Sequence, residues 1–127
     1  HNGKGLLFLY DFHFFFISLF DKQQHIMLVY NTTYHVENAD ARNFVIWINE
    51  CFIPKILEQG TLRNPRLSRV LSHREQDSEC FALQWEVESM TDMHHWHTAQ
   101  GKALNDELLK TFQQRIVAFT TLMEVID

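Results

Sequence analysis

Hydrophobic and polar residues alternate most regularly between residues 66 and 88, and this pattern predicts an antiparallel β-hairpin. In its second arm, residues 80–88, every second side chain is large and apolar: Phe81, Leu83, Trp85 and Val87. The residues between them, which include Ala82, Gln84 and Glu86, form the opposite face. We therefore expect Phe81 and Trp85 to be buried against the helices of the domain.

The first arm of the hairpin is predicted at residues 67–73. It follows Pro65, which disfavours a helix immediately upstream. The wholly polar residues 74–78 suit a solvated turn between the arms. The alternation in the first arm is too short to fix its register against the second.

A strand and a helix are predicted before the hairpin. Residues 28–36 are rich in β-branched and aromatic side chains, as strands are. Residues 38–40 supply a turn and a helix N-cap. The helix that follows has an apolar stripe at helical spacing: Phe44, Trp47, Ile48, Cys51, Phe52 and Ile56. Pro54 predicts a kink or an end near Ile53, and Gly60 is suited to cap the final turn.

A helix and a strand are predicted after the hairpin. Residues 89–92 resemble a capping box with Asp in place of Glu. Gly101 weakens the helix that follows, so we expect a bent pair of short helices. Residues 116–126 form the last strand, with apolar side chains on both faces. The order βαββαβ predicts an α+β domain of the ferredoxin-like type, an antiparallel sheet with two helices on one face.

The first 26 residues differ in amino-acid composition from the rest of the chain. Residues 6–20 are rich in phenylalanine but are interrupted by Asp11 and His13, and they are shorter than a membrane span requires. No small-residue cleavage site follows them. We expect residues 1–26 to be an N-terminal extension that is not part of the natural protein, with Met27 as its start. Residues 27–127 are then one domain, with no membrane partner.

Composition narrows the function classes. The 127 residues carry a net charge of −5, which disfavours a general binder of nucleic acids. The arginines near the hairpin do not form the aromatic signature of an RNA-recognition domain. Cys51 and Cys80 fit neither a disulfide framework nor a four-ligand zinc site. We expect both to be small buried hydrophobes in the reducing cytoplasm.

Several short segments carry a resemblance to a known family: Val29-Tyr30-Asn31-Thr32-Thr33, Ile53-Pro54, Asn64-Pro65-Arg66-Leu67, Trp96-His97 and Phe119-Thr120-Thr121-Leu122-Met123-Glu124. From Met27 to the end, the chain resembles a bacterial family described as domain of unknown function 4286. More distantly, the order of strands resembles dimeric α/β-barrel proteins such as the small antibiotic-biosynthesis-type monooxygenases. That second likeness is one of fold, and fold does not assign chemistry.

The histidines are the first candidates for a metal-binding or catalytic role. His94 and His97 are three residues apart on a predicted helix, close enough to share a metal ion. A third ligand would have to come from elsewhere, for example His73 or His35, and the spacing is not the usual one for metal-binding helices. We expect no metal site and no cofactor. No phosphate-binding loop or serine elbow is present in the sequence.

One sheet face is unusually polar for so hydrophobic a domain, and we expect any ligand site there. Its predicted members are Asn31, Thr33, His35, Arg69, Gln84 and Glu86. Under an enzyme hypothesis, His35 is the general base and Glu86 tunes it, in a cofactor-independent reaction of monooxygenase or isomerase type. Under the other hypotheses, the face is a small-molecule pocket or part of a purely structural dimer.

A homodimer is expected because the last strand is long and apolar on both sides. An edge of that kind is prone to aggregation unless it is covered. We expect two copies to join through the open sheet face and this strand.

Overall fold

Four β-strands and two helical segments make up the domain in the computed structural model, which describes residues 27–126. The strands are β1 (Leu28–Glu37), β2 (Arg63–Arg69), β3 (Ser78–Val87) and β4 (Val117–Glu124). They form one antiparallel sheet in the order β2-β3-β1-β4, so the central strands are β1 and β3. The predicted βαββαβ architecture is confirmed. Our expectations for residues 1–26 lie outside the described range.

The first helical segment, residues 38–59, consists of three parts. They are α1 (Asn38–Trp47), a π-helical turn (Ile48–Phe52) and α2 (Ile53–Gln59). Pro54 has no N–H with which to continue the helix, and the π-helical turn lies immediately before it. The segment therefore deforms at the predicted place without ending there. Gly60, with φ of 77°, caps it in the left-handed conformation as predicted.

Two details of this segment differ from the sequence predictions. Cys51 is exposed, because the π-helical turn adds a residue to the helical repeat and keeps Ile48 and Phe52, but not Cys51, on the core side. The helix also starts at Asn38 without a side-chain cap. Asp40 instead accepts two hydrogen bonds from Arg115, both of 2.9 Å. These bonds hold the pKa of Asp40 below its usual value.

The second helical segment, residues 90–111, has the same three-part form. It consists of α3 (Met90–Trp96), a π-helical turn (His97–Gly101) and α4 (Lys102–Thr111). The predicted cap is confirmed, since Ser89 Oγ accepts a hydrogen bond of 3.1 Å from the backbone N–H of Asp92. Gly101 is the last residue of the π-helical turn, so the expected weak point coincides with an irregularity in a continuous helix.

Gly101 has a packing role that helix propensity does not show. A Cβ at this position would lie 2.8 Å from Cε3 of Trp96 and closer still to Cζ3, far inside normal contact. The indole is buried, and its Nε1 donates a 2.6 Å hydrogen bond to Gln59 of the other helical segment. Trp96 therefore cannot move away without breaking that bond.

We expect Gly101→Ala to lower the free energy of unfolding by about 1–2 kcal/mol. Overpacking of this kind typically destabilises a protein by about 1–3 kcal/mol. The higher helix propensity of alanine offsets no more than about 1 kcal/mol of that loss. Urea denaturation measures the change, with the exposed Gln100→Ala as a control that should stay within about 0.5 kcal/mol of the parent. A more stable Gly101→Ala protein would show that the indole does not occupy this position.

Both helical segments pack on one face of the sheet. Phe44 stacks on Phe81 with ring centroids 5.4 Å apart, and Trp96 meets Tyr30 edge-on at 6.1 Å. Trp85 and Phe81 are each only 2% exposed, so the predicted core face of β3 is confirmed.

Two strands have different bounds from those predicted. β2 begins at Arg63 and ends at Arg69, and residues 70–77 form the loop to β3. Pro65 fits inside β2 because this is an edge strand, and the register shifts between Arg63 and Arg66. β4 is shorter than the predicted 116–126, and all its residues pair with β1. The argument from an overlong last strand is therefore wrong.

The helices between residues 27 and 126 are too short or too polar to cross a lipid bilayer.

Candidate functional site

The sheet face opposite the helices, which we call the open face, collects most of the predicted polar residues. Cross-strand pairing fixes its members, because directly paired residues point to the same side. They are Val29, Asn31, Thr33 and His35 of β1, Arg63, Arg66 and Ser68 of β2, Cys80, Ala82, Gln84 and Glu86 of β3, and Val117, Phe119, Thr121 and Met123 of β4.

Asn31 lies at the centre of the open face. It pairs with Gln84 on one side and with Thr121 on the other, and it is only 8% exposed. Its Nδ2 donates a 3.1 Å hydrogen bond to Thr33 Oγ1. Its Oδ1 is buried and has no hydrogen-bond partner among residues 27–126. A buried acceptor of this kind costs about 1–3 kcal/mol unless another group completes the bond.

Arg69 is not part of this face, and its predicted place in the site is wrong. It pairs with Phe81 and therefore points to the helix side of the sheet. There its guanidinium lies 5.4 Å from the centroid of the Phe81 ring and donates a 3.0 Å hydrogen bond to Glu79. The physical reason is the register of β2, which the sequence pattern leaves open.

Glu86 lies on the open face with His35 but is too far away to interact with it. β1 pairs His35 with Cys80 and Val29 with Glu86, so the two candidates lie near opposite ends of the sheet. Six residues of extended strand separate Cys80 from Glu86, a distance of roughly 20 Å. Glu86 instead accepts a 2.8 Å hydrogen bond from Asn64 Nδ2. The predicted catalytic pair is therefore not assembled.

His35 has three other neighbours. The ring of His73, from the β2–β3 loop, lies 5.3 Å away, and the ring of Phe119 lies 6.1 Å away. Cys80 is the cross-strand partner of His35, and it is only 5% exposed. Burial raises the pKa of the Cys80 thiol. One donor atom from each of His35, His73 and Cys80 lies within 4.8 Å of the other two.

Sequence reasoning missed His73 and Cys80 as members of the site. The signal for Cys80 was present, because it has the same parity as Ala82, Gln84 and Glu86 along β3. No periodicity places His73, which belongs to a loop whose path depends on its anchors. His94, by contrast, is exposed while His97 is buried, so these two do not present a shared surface site.

An apolar strip runs along the outer edge of the open face. It consists of Val117, Phe119 and Met123 of β4, whose exposed fractions are 54%, 50% and 40%. These three side chains alternate with Ala118, Thr120 and Leu122, which point towards the helices. The strip puts large apolar side chains beside the polar centre of the open face.

Comparison with protein families matches this domain to one of them. The sequence profile of a domain of unknown function, DUF4286, matches residues 27–126. A comparison with curated protein sequences found no match.

Solved structures share the fold at low sequence identity. A dimeric ferredoxin-like protein from an uncultured marine organism is 13% identical, with a TM-score of 0.57 over 82% of this chain and 98% of its own. A conserved protein of unknown function from Bacteroides thetaiotaomicron, titled a possible oxidoreductase, is 9% identical, with a TM-score of 0.61 over 80% and 100%. A candidate antibiotic-biosynthesis monooxygenase from Bacillus cereus is 13% identical, with a TM-score of 0.54 over 80% and 95%. At these identities the likeness shows the ferredoxin-like fold alone.

Proposed function

We propose, since this chain belongs to the DUF4286 family of domains of unknown function, that the protein is a homodimer that binds a small molecule between two open faces. The observation that carries the proposal is the buried and unpaired Oδ1 of Asn31 at the centre of the open face. Buried polar atoms are nearly always hydrogen-bonded, so a missing partner indicates a group that a ligand supplies.

Dimerisation is supported by the apolar strip. Val117, Phe119 and Met123 lie together at the edge of the sheet, and the helices between residues 27 and 126 cover its other face. A partner that covers this surface removes apolar area from water, which stabilises the complex by roughly 25 cal/mol for each Å² buried. A stable interface would bury on the order of 1,200–2,000 Å² in total. One protein with this fold is described as a dimeric ferredoxin-like protein, which agrees with the proposal.

The chemistry of the open face indicates the kind of small molecule. An amide oxygen without a partner requires a hydrogen-bond donor such as an amide or a hydroxyl group. Thr33 and Gln84 add further polar groups nearby, and Phe119 offers an apolar wall. We therefore expect a largely neutral molecule with one donor and an apolar part. A purely structural dimer is the competing outcome, in which the partner copy completes the hydrogen bond of Asn31.

NMR detection of the Asn31 side-chain amide in the full chain tests this function. A library of small amides, alcohols and phenols is added to the ¹⁵N-labelled protein, and the side-chain amide resonances are followed. We expect at least one compound to shift the Asn31 signal in a saturable manner. Asn31→Leu should weaken its binding by roughly tenfold, because the loss of one hydrogen bond costs about 1–1.5 kcal/mol.

Ser68→Ala is the matched control, because Ser68 lies on the same face but on the outer strand β2. Its binding of the same compound should be unchanged. If no compound moves the Asn31 signal, or if Asn31→Leu binds as well as the parent, the ligand proposal is wrong and a structural dimer is the better account.

A further inference from the structure

A group of three potential metal ligands lies at the end of the open face remote from Glu86. We propose that His35, His73 and Cys80 form a binding site for a zinc-like divalent metal ion, with the fourth coordination position open to a small ligand. From the sequence, His35 and His73 were considered only as possible third ligands to a metal ion shared by the histidines of the second helix, and they were not grouped with Cys80. All three ligands come from one chain, so the site does not depend on dimerisation.

The distances are close to those that a metal ion requires. One donor atom from each side chain already lies within 4.8 Å of the other two. Zinc binds imidazole nitrogen at about 2.0 Å and thiolate sulfur at about 2.3 Å, so tetrahedral donors are about 3.5 Å apart. The longest separation therefore has to shorten by no more than about 1 Å. Small side-chain rotations and the loop position of His73 can provide this movement.

Two of the ligands are held by the most rigid part of the fold. His35 and Cys80 are cross-strand partners in β1 and β3, the two central strands of the sheet. The backbone carbonyl of Cys80 also accepts a 2.8 Å hydrogen bond from the N–H of Val70, where the β2–β3 loop begins. The separation between these two ligands is thus set by sheet pairing.

The loop that carries His73 is anchored on its other side to the first helix. Asn38 donates two hydrogen bonds to it, from Nδ2 to the carbonyl of Gln76 at 2.7 Å and from its backbone N–H to the carbonyl of Asp77 at 3.1 Å. These bonds keep the loop folded against the end of the sheet. His73 is consequently held over His35 and is only partly exposed to solvent.

Metal-binding histidines typically hydrogen-bond through the ring nitrogen that does not bind the metal, and we call the group bonded there the outer partner. His73 has such a partner. Its Nε2 lies 3.0 Å from Ser78 Oγ, and Ser78 Oγ donates a 3.2 Å hydrogen bond to Glu75. If Nε2 keeps this contact when a metal ion binds, Nδ1 is the ring nitrogen that would be its ligand. A chain from imidazole through hydroxyl to carboxylate orients a ligand and increases its basicity.

The donor types favour a late transition metal. Imidazole and thiolate are the ligands of zinc and copper, whereas magnesium and calcium require oxygen. A bound cation would also stabilise the thiolate of Cys80, which burial alone disfavours. Three protein ligands and an open position are the arrangement in which zinc binds water or a substrate group.

Cobalt substitution in the full-length protein tests the site. The chain is purified with a chelator and a reductant, the chelator is removed, and Co²⁺ is added. We expect one Co²⁺ per chain, with a near-ultraviolet thiolate-to-cobalt absorption and visible bands of tetrahedral intensity. Zn²⁺ should displace the cobalt and abolish both signals. The apparent zinc affinity is then measured by competition with a chromophoric chelator.

Variants assign the ligands. Cys80→Ser should remove the thiolate absorption, and His73→Ala and His35→Ala should each weaken zinc binding by more than about 100-fold, beyond what the loss of an outer partner costs. Ser78→Ala keeps all three ligands and should weaken binding by about 10–100-fold. Cys51→Ser and His94→Ala are the controls, since both side chains are exposed and outside the group. They should bind as the parent does.

Three results would overturn the proposal. They are the absence of a thiolate–cobalt absorption in the parent, its persistence in Cys80→Ser, and its loss in Cys51→Ser. Far-ultraviolet circular dichroism confirms that each variant is folded before it is scored, and Ser78→Ala provides a test that leaves the ligand set intact. An unliganded Asn31 or a monomeric protein would refute the proposed function but leave these expectations unchanged.

Discussion

Trp85→Ala is expected to lower the free energy of unfolding by about 3–5 kcal/mol, the usual range for truncating a large core aromatic. Trp85 is 2% exposed and lies on the helix side of central strand β3, opposite Tyr30. Alanine would leave a cavity in a rigid sheet that cannot collapse to fill it. Chemical denaturation monitored by circular dichroism measures the change.

Trp47→Ala is the matched control. Trp47 is only partly buried and stacks on Phe52, with 5.4 Å between the ring centroids. Its truncation should therefore cost clearly less than that of Trp85. A loss below about 1 kcal/mol for Trp85→Ala would mean that its side chain is exposed. The two faces of the sheet would then be inverted.

Phe119→Arg is expected to convert the protein from dimer to monomer at low micromolar concentration. Phe119 is at the middle of the apolar strip and 50% exposed in the single chain, so arginine is compatible with the folded monomer. In a symmetric dimer the substitution introduces two like charges into an interface that excludes water. An unpaired charge there costs several kcal/mol of association free energy.

Leu57→Arg is the control for this substitution. Leu57 is 46% exposed, close to the value for Phe119, but it belongs to the first helical segment on the other side of the sheet. Leu57→Arg should leave the mass of the assembled protein in solution unchanged. Dissociation by Leu57→Arg, or an intact dimer with Phe119→Arg, would place the interface somewhere other than the open face.

Much of the fold could be predicted because its signals are local. The alternation of Phe81 to Val87 defined β3 and its faces, and Pro54 located the deformation of the first helix. Ser89 as a cap and Gly60 as a terminator follow from side-chain and backbone chemistry alone. Cys51 was misplaced because a π-helical turn shifts the helical repeat, and a 3.6-residue pattern cannot show that shift.

The candidate site was predicted less well because it depends on register and loop path. Period-two patterning correctly put Asn31, Thr33, His35, Gln84 and Glu86 on one face. It could not show that antiparallel pairing carries His35 and Glu86 to opposite ends of that face.

Arg69 and His73 illustrate two further limits. The pairing of Arg69 with Phe81 decides which way Arg69 points, and the sequence pattern does not fix that register. His73 reaches His35 only because Asn38, distant in sequence, anchors the intervening loop. Neither contact leaves a trace in the local pattern of hydrophobic and polar residues.

The proposed assembly is tested most directly by the mass of the full chain in solution. Analytical ultracentrifugation at low micromolar concentration should show a single species of twice the 15.2 kDa of one chain. This is the result that a homodimer joined through the open face predicts. A single species of 15.2 kDa would contradict the account, because the apolar strip of Val117, Phe119 and Met123 would then remain in water.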